Sequence, residues 1–402
     1  GGSHSRRGPS FLGATYTLPY ALETTTSLQA GWAWEAPTHL RWEAQLNRVA
    51  SRIGIGPTPA LAPLDPATVI PSDHYAYRRE QGSLLVDWRV MEGLRVVGGL
   101  DGARLEVDRD LIIGLPNPSR ERSAGAFATR DLVLPEELTL SLGARAEHET
   151  LGGSRVSPRT VLTWRPTGQS HLRAGWFTAT RSPQVFESRV DSTIGAVRNL
   201  PNPGLDPESV DTFEVGYRWS DGVWSLDTTA FSGQLRHQIR RQPVVGAPVG
   251  TNQHQNGPTT QNRGFEGEVT WWPRGGWELG LNATWLEVED AATGSQADYA
   301  APFRANLWTR FTQGAWSGAL TLHHTARTPM GAYQGAVVHT DRDPFTRLNV
   351  HLDWRFAQGL HAFATGVLLG APFTPQGTGF STKPFVVYGG TERVGFGLAW
   401  RF

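Results

Sequence analysis

Apolar and polar residues alternate with a period of two along most of the chain. In the last segment Val394, Phe396, Leu398, Trp400 and Phe402 fall on one face, and Gly395, Gly397, Ala399 and Arg401 on the other. Phe213, Val215, Tyr217 and Trp219 alternate in the same way with Thr212, Glu214, Gly216 and Arg218. Successive side chains of a strand point to opposite faces, so this pattern predicts strands buried on one side only. About eighteen are predicted, near 10–20, 25–35, 39–51, 75–90, 94–107, 123–133, 137–149, 155–165, 169–181, 210–220, 223–236, 261–272, 277–289, 302–312, 316–327, 345–356, 359–370 and 393–402. Tight turns such as Met91-Glu92-Gly93, Ser220-Asp221-Gly222 and Ala357-Gln358-Gly359 follow even-numbered strands. Long loops, roughly 52–74, 108–122, 182–209, 237–260, 290–301, 328–344 and 371–392, follow odd-numbered ones.

A soluble sandwich alternates too, but two features disfavour it. The apolar faces carry Trp and Tyr near strand ends, as an interfacial girdle does. The polar faces carry Arg and Glu on strand after strand, too much charge for a dry core and well suited to a water-filled lumen. The expected fold is therefore all-β: a transmembrane, antiparallel, up-and-down β-barrel over 10–402, after a disordered lead-in at 1–9. An even strand count places both termini in the periplasm.

Composition narrows the reading further. Among 402 residues, Lys+Arg and Asp+Glu each number 37, and a formal charge of zero gives no pull on nucleic acid. There is no cysteine, which removes disulfides, thiolate ligands and thiol nucleophiles. Hydrophobics are 39%, and no run reaches the roughly 18 apolar residues of a membrane helix. The first residue is Gly1 and the methionines, Met91 and Met330, are internal, so a processed or truncated chain is expected.

Catalytic chemistry finds little support: there is no nucleophile elbow and no His-Glu-x-x-His, so neither an enzyme nor a cofactor is expected. Alternation sends one ring of His323-His324 inward and the other outward. His339-Thr-Asp341-Arg-Asp343 lacks the ligand spacing of a calcium loop and reads as a solvated loop. The lumen-facing candidates are Glu214, Arg218, Glu266, Glu268, Arg310, Asp353 and Arg355, whose interleaved signs suit charges pairing across strands. Substrate contacts are expected in the long loops instead.

Several segments resemble one family. Ser157-Pro158-Arg159 with Leu162-Thr-Trp-Arg-Pro166 looks like a strand entering a short turn. Leu172-Arg-Ala-Gly-Trp-Phe-Thr-Ala-Thr-Arg-Ser-Pro183 ends in a Phe-Arg-Ala-Pro-like motif. Leu200-Pro-Asn-Pro-Gly-Leu-Asp-Pro-Glu-Ser-Val-Asp-Thr-Phe-Glu-Val-Gly-Tyr217 carries the most specific signature, and Asn262-Arg-Gly-Phe-Glu-Gly-Glu268 with Trp277-Glu-Leu-Gly-Leu-Asn-Ala-Thr284 matches a recurring hairpin. In this order they resemble the barrel of TonB-dependent outer-membrane receptors. Phe396, Leu398, Trp400 and Phe402 then look like the aromatic-ended signal read by the barrel-assembly machinery.

The resemblance implies an outer-membrane barrel among lipid and lipopolysaccharide. It also implies uptake of a scarce nutrient (a metal chelate, cobalamin or glycan) driven by a TonB-type motor acting on a plug. Neither plug nor TonB-binding segment is visible in these residues, so either would lie upstream or on a partner chain. Nine strands follow Pro183, as the family pattern implies, but nine precede it where thirteen are expected. The barrel is thus an eighteen-stranded relative, or has 22 strands of which four are missing. The usual Gly-x-x-Asn-Leu near the last hairpin reads Gly366-Val-Leu-Leu-Gly370. Two other functions stay open: a barrel scaffold in a multi-protein assembly, and a passive porin.

Overall fold

The computed structural model describes residues 2–7, 21–36, 39–55, 73–107, 119–194, 197–273, 275–296, 300–329, 343–369 and 393–400. Among the described residues one antiparallel sheet has eighteen strands. Its first nine are β1 (Gly2–Arg7), β2 (Ala21–Ala36), β3 (Leu40–Ile55), β4 (Asp73–Met91), β5 (Leu94–Val107), β6 (Ser119–Leu134), β7 (Leu138–Glu149), β8 (Gly153–Thr167) and β9 (Ser170–Arg181). After them come four short strands, β10 (Ser192–Ile194), β11 (Val197–Leu200), β14 (Ile239–Pro243) and β15 (Thr251–Asn256), that lie in a separate sheet. The large sheet continues with β12 (Glu208–Ser220), β13 (Trp224–Arg236), β16 (Thr260–Trp271), β17 (Trp277–Asp290) and β18 (Phe303–Gln313). It ends with β19 (Trp316–Thr325), β20 (Phe345–Ala357), β21 (Leu360–Leu369) and β22 (Arg393–Trp400). Each strand pairs with the next, β9 joining β12 and β13 joining β16, which is the up-and-down order expected of a barrel wall.

The N-terminus departs from expectation. Gly2–Arg7, read as part of a disordered lead-in, is a strand paired antiparallel with Glu23–Leu28 of β2. A sheet edge presents a row of unsatisfied backbone groups, and pairing with it asks nothing of side-chain hydrophobicity. The strand expected at 10–20 lies outside the described residues.

Period two holds in the side chains. Along β6 exposed and half-buried positions alternate residue by residue. On β17 the apolar face reads Trp277, Leu279, Leu281, Ala283 and Trp285. Eight residues of strand span about 27 Å, or about 20 Å of height at a tilt near 40°. Near the tight turns the girdle is aromatic: Trp224 stacks on Trp271 at 5.2 Å, Trp277 on Phe311 at 4.9 Å, and Trp316 on Trp354 at 5.4 Å. At the loop end Trp176 faces Phe213 across a pair of strands, and Trp285 faces Phe303. Rings with an apolar body suit the two margins of a hydrocarbon layer.

The opposite face is polar, yet glycines there are covered. The indole of Trp308 lies over Gly280, where a Cβ would come within 2.0 Å of the ring, and Phe231 covers Gly264 likewise at 2.5 Å. A glycine lets the neighbouring ring lie flat on the backbone.

Candidate functional site

Tight turns gather at one end of the sheet and long loops at the other, so the loop end is where two distant segments meet. After β9, residues Val185–Arg189 form a single helical turn, α1. Its apolar side turns toward the polar face of β4–β7: Val185 and Val190 pack with Val107 in a buried cluster flanked by Tyr77, Leu105 and Leu151. Ionic contacts fix the same turn. Arg181 donates to Glu187 through Nη1 and Nη2 at 2.8 and 3.1 Å, and to Glu208 through Nε at 2.6 Å. Glu187 accepts the Gln184 backbone N–H at 2.8 Å, satisfying a donor at the start of the turn. Arg189 reaches Glu121 at 3.4 Å and donates to Ser119 at 3.3 Å.

The second long loop joins the first. β10 pairs with β11 antiparallel, β11 with β15 in parallel, and β15 with β14 antiparallel. Two loops thereby share one four-stranded sheet. Glu208 also accepts the Ile239 N–H at 2.7 Å, tying β14 to the carboxylate that Arg181 holds. The His254 ring of β15 meets Phe186 of α1 edge-on, 5.7 Å between centroids, while burial pushes its pKa below the ordinary histidine range. Burial disfavours the charged form, so the ring is neutral at pH 7.

Between α1 and the wall lies a cavity of about 750 Å³ lined by Tyr77, Glu121, Glu147, Arg181, Val185 and Phe186 among others. Of its charged lining, Arg181 is held by Glu187 and Glu208, and Glu147 by arginines of the wall behind it. Arg145 forks onto Asp101 at 2.6 and 2.9 Å and donates to Glu147 at 2.9 Å. Arg155 reaches Glu147, the Ser182 hydroxyl and the Gly152 carbonyl. Such a lining presents both signs at fixed positions, which suits a polar ligand of mixed charge better than a single-sign ion.

The residues singled out from sequence sit elsewhere, on the polar face and spread over several strands. Glu214 is 3.8 Å from Arg173, Arg218 is 3.6 Å from Asp227, and Arg310 is 3.4 Å from Glu278. Glu268 accepts from Asn282 at 3.4 Å, and Asp353 lies 2.8 Å from His361 Nδ1. Glu266 is in register with Thr229 and Thr284, and Arg355 with His361. They pair locally and do not converge. The histidine pair splits as alternation demands: His323 Nδ1 donates to Asn306 at 2.6 Å, and His324 bonds Thr346 at 2.9 Å on the apolar face. At the C-terminus, Phe396 and Leu398 are 80% and 77% exposed. Phe402, the Trp400 side chain, His339 and Asp341 fall outside the described residues. Arg181, Glu187, Glu208 and His254 were not foreseen, although the Arg181-Ser-Pro183 strand ending marks the point where they gather.

A family model described as TonB dependent receptor-like, beta-barrel, matches residues 2–368. The iron-regulated outer membrane virulence protein of Vibrio cholerae is 29% identical over 138 residues, 33% of this chain and 21% of that protein. A mutant of the ferric enterobactin receptor of Pseudomonas aeruginosa superposes with TM-score 0.71 at 16% identity, covering 86% of this chain and 56% of that one. The FrpB iron transporter of Neisseria meningitidis gives TM-score 0.72 at 13% identity, covering 95% and 64%. The chain thus spans less than two thirds of the length of each.

Proposed function

The chain belongs to the TonB-dependent receptor-like β-barrel family, and we propose that it takes up a scarce nutrient through the outer membrane, in which it lies. The observation that carries this reading is the loop end, where α1 packs against the polar face and a mixed-charge cavity lies between them. A receptor needs a site on the outside that is pre-formed and lined by fixed polar groups. The polar face, with Glu214, Arg218, Glu266, Glu268, Arg310, Asp353 and Arg355, then lines the path, and the tight turns and both termini face the periplasm. Phe396, Leu398, Trp400 and Phe402 serve as the assembly signal, and a TonB-type motor supplies the work. The solved neighbours named above handle ferric chelates or iron, which favours a metal chelate over cobalamin or a glycan. No catalytic role is proposed.

The test is uptake of radiolabelled ferric chelates, cobalamin and oligosaccharides by cells carrying the gene in its native context, with and without the motor. Motor-dependent accumulation of one ligand is expected. Accumulation that persists without the motor, together with steady bilayer conductance, would replace this reading by a passive pore. The inward-folded α1 supports that second reading, because a passive pore of this size needs a constricting loop.

A further inference from the structure

On β3–β6 the apolar face ends, toward the loop side, in arginine. Trp42, Ala44 and Leu46 lead to Arg48; Trp88, Val86, Leu84 and Gly82 lead to Glu80 and Arg78. Leu100 and Gly102 lead to Arg104, and Ala126 and Ala124 to Arg122 and Arg120. The register sets Arg48 opposite Glu80, Glu80 opposite Arg104, and Arg104 opposite Arg122, a single row across four strands. Glu80 lies 3.6 Å from Arg48, and Glu106 lies 3.0 Å from Arg120 and 3.6 Å from Arg104. Five guanidinium groups therefore share two carboxylates.

The opposite side of the sheet has the reverse balance. At the same level of β12–β17 the outward charges are Arg236 and Arg263 against Asp211, Glu287 and Glu289, and both arginines are paired. Glu80 stands eight residues from Trp88, as Trp285 does from Trp277, so the arginine row lies at the loop-side margin of the apolar belt. Below the row a groove of about 860 Å³ opens on the apolar face. Ala30, Gly82 and Gly102 leave it shallow-floored between Leu28 and Leu46, with Arg48 and Arg104 at its rim.

We infer that this row and groove bind a phosphorylated, acylated glycolipid of the outer leaflet. Its phosphates meet Arg48, Arg104 and Arg122, and an acyl chain lies over Gly82 and Gly102. Planar guanidinium groups in a row match phosphate oxygens through paired hydrogen bonds, which a lysine does less well. Small residues beneath give a chain room against the wall, as close packing in lipid requires. The inference rests on the outer-membrane location and is independent of which nutrient is carried, so uptake results leave it standing.

Native mass spectrometry of the full chain in detergent tests it, using bisphosphorylated lipid A, dephosphorylated lipid A and inorganic phosphate as probes. A stoichiometric lipid A adduct is expected, weakened at least about tenfold by removal of the phosphates or by R48Q/R104Q/R122Q. R236Q/R263Q should bind as the unchanged protein does, and inorganic phosphate alone should leave no adduct. Equal binding of dephosphorylated lipid, full binding by the triple variant, equal loss in R236Q/R263Q, or tight binding of phosphate alone would each overturn the proposal. The mobility shift between boiled and unboiled samples verifies folding. Arg104→Gln alone, expected to weaken binding about threefold, keeps the test decisive if the triple variant does not fold.

Discussion

Arg181 and Glu187 face each other fork to fork, with hydrogen bonds of 2.8 and 3.1 Å, and this pair holds α1 down on the wall. Arg181 is partly exposed, so its net contribution is about 1 kcal/mol once solvent screening is allowed for. The chain has no native cysteine, so Val185→Cys, at a buried position of the helix, reports directly on release. Arg181→Gln in that background should raise its rate of maleimide labelling about fivefold. An unchanged rate would show that the apolar contacts alone fix the helix.

The His254 ring gives the cap a pH dependence. Its folded pKa is depressed by burial from the model-peptide value of 6.5. The neutral ring's contribution is therefore complete above 6.5 and is lost as pH falls from there toward the depressed folded value, since the unfolded loop binds the proton first. Glu187 nearby favours the charged ring, while Arg241 and Arg181 oppose it. Amide hydrogen exchange across 239–256 should quicken between pH 7.5 and 5.5, after correction for intrinsic rates. His254→Gln should remove that dependence.

Trp308 over Gly280 leaves no room for a larger side chain. Gly280→Val forces the ring off the backbone, at a cost of about 1–3 kcal/mol. The temperature at which unboiled protein loses its compact gel mobility should fall. Trp308→Ala in the same chain should restore part of the loss, because it empties the space the valine needs.

Depth in the membrane supplies a further check. Leu281 lies midway between Trp277 and Trp285 on the apolar face of β17. Leu281→Arg should cost about 2–4 kcal/mol in folding equilibria measured in lipid, while Trp277→Arg, at the margin, should carry a smaller charge penalty of about 0–1 kcal/mol beyond the lost stacking. Equal charge penalties at both positions would mean that the hydrocarbon layer does not follow this belt.

Strand boundaries were legible wherever one face is apolar and the other polar. β5 at Leu94–Val107 coincides with its expected range, and the β17 and β20 ends differ by one residue. β1 escaped notice because Gly-Ser-His-Ser-Arg-Arg has no apolar face, and only backbone pairing makes it a strand. The loop sheet escaped for a related reason. Its strands run three to six residues, too short to display a period, and the β11–β15 pairing that unites them joins two different loops. The seven charged residues named from the alternation all belong to the inner face, yet Leu100, Gly102 and Arg104 share one parity. The outward parity of each arginine was thus present in the alternation, while their alignment in one row depends on the register between strands.

The parallel pairing of β11 with β15 joins Arg198 to Thr251 across the whole β12–β13 hairpin. The two partners reach the same end of the sheet through the β12–β13 hairpin between them. Closure of this sheet is then expected to follow formation of that hairpin. An antibody or protease that distinguishes the paired from the unpaired loops would read out, chain by chain, how many barrels have completed that step.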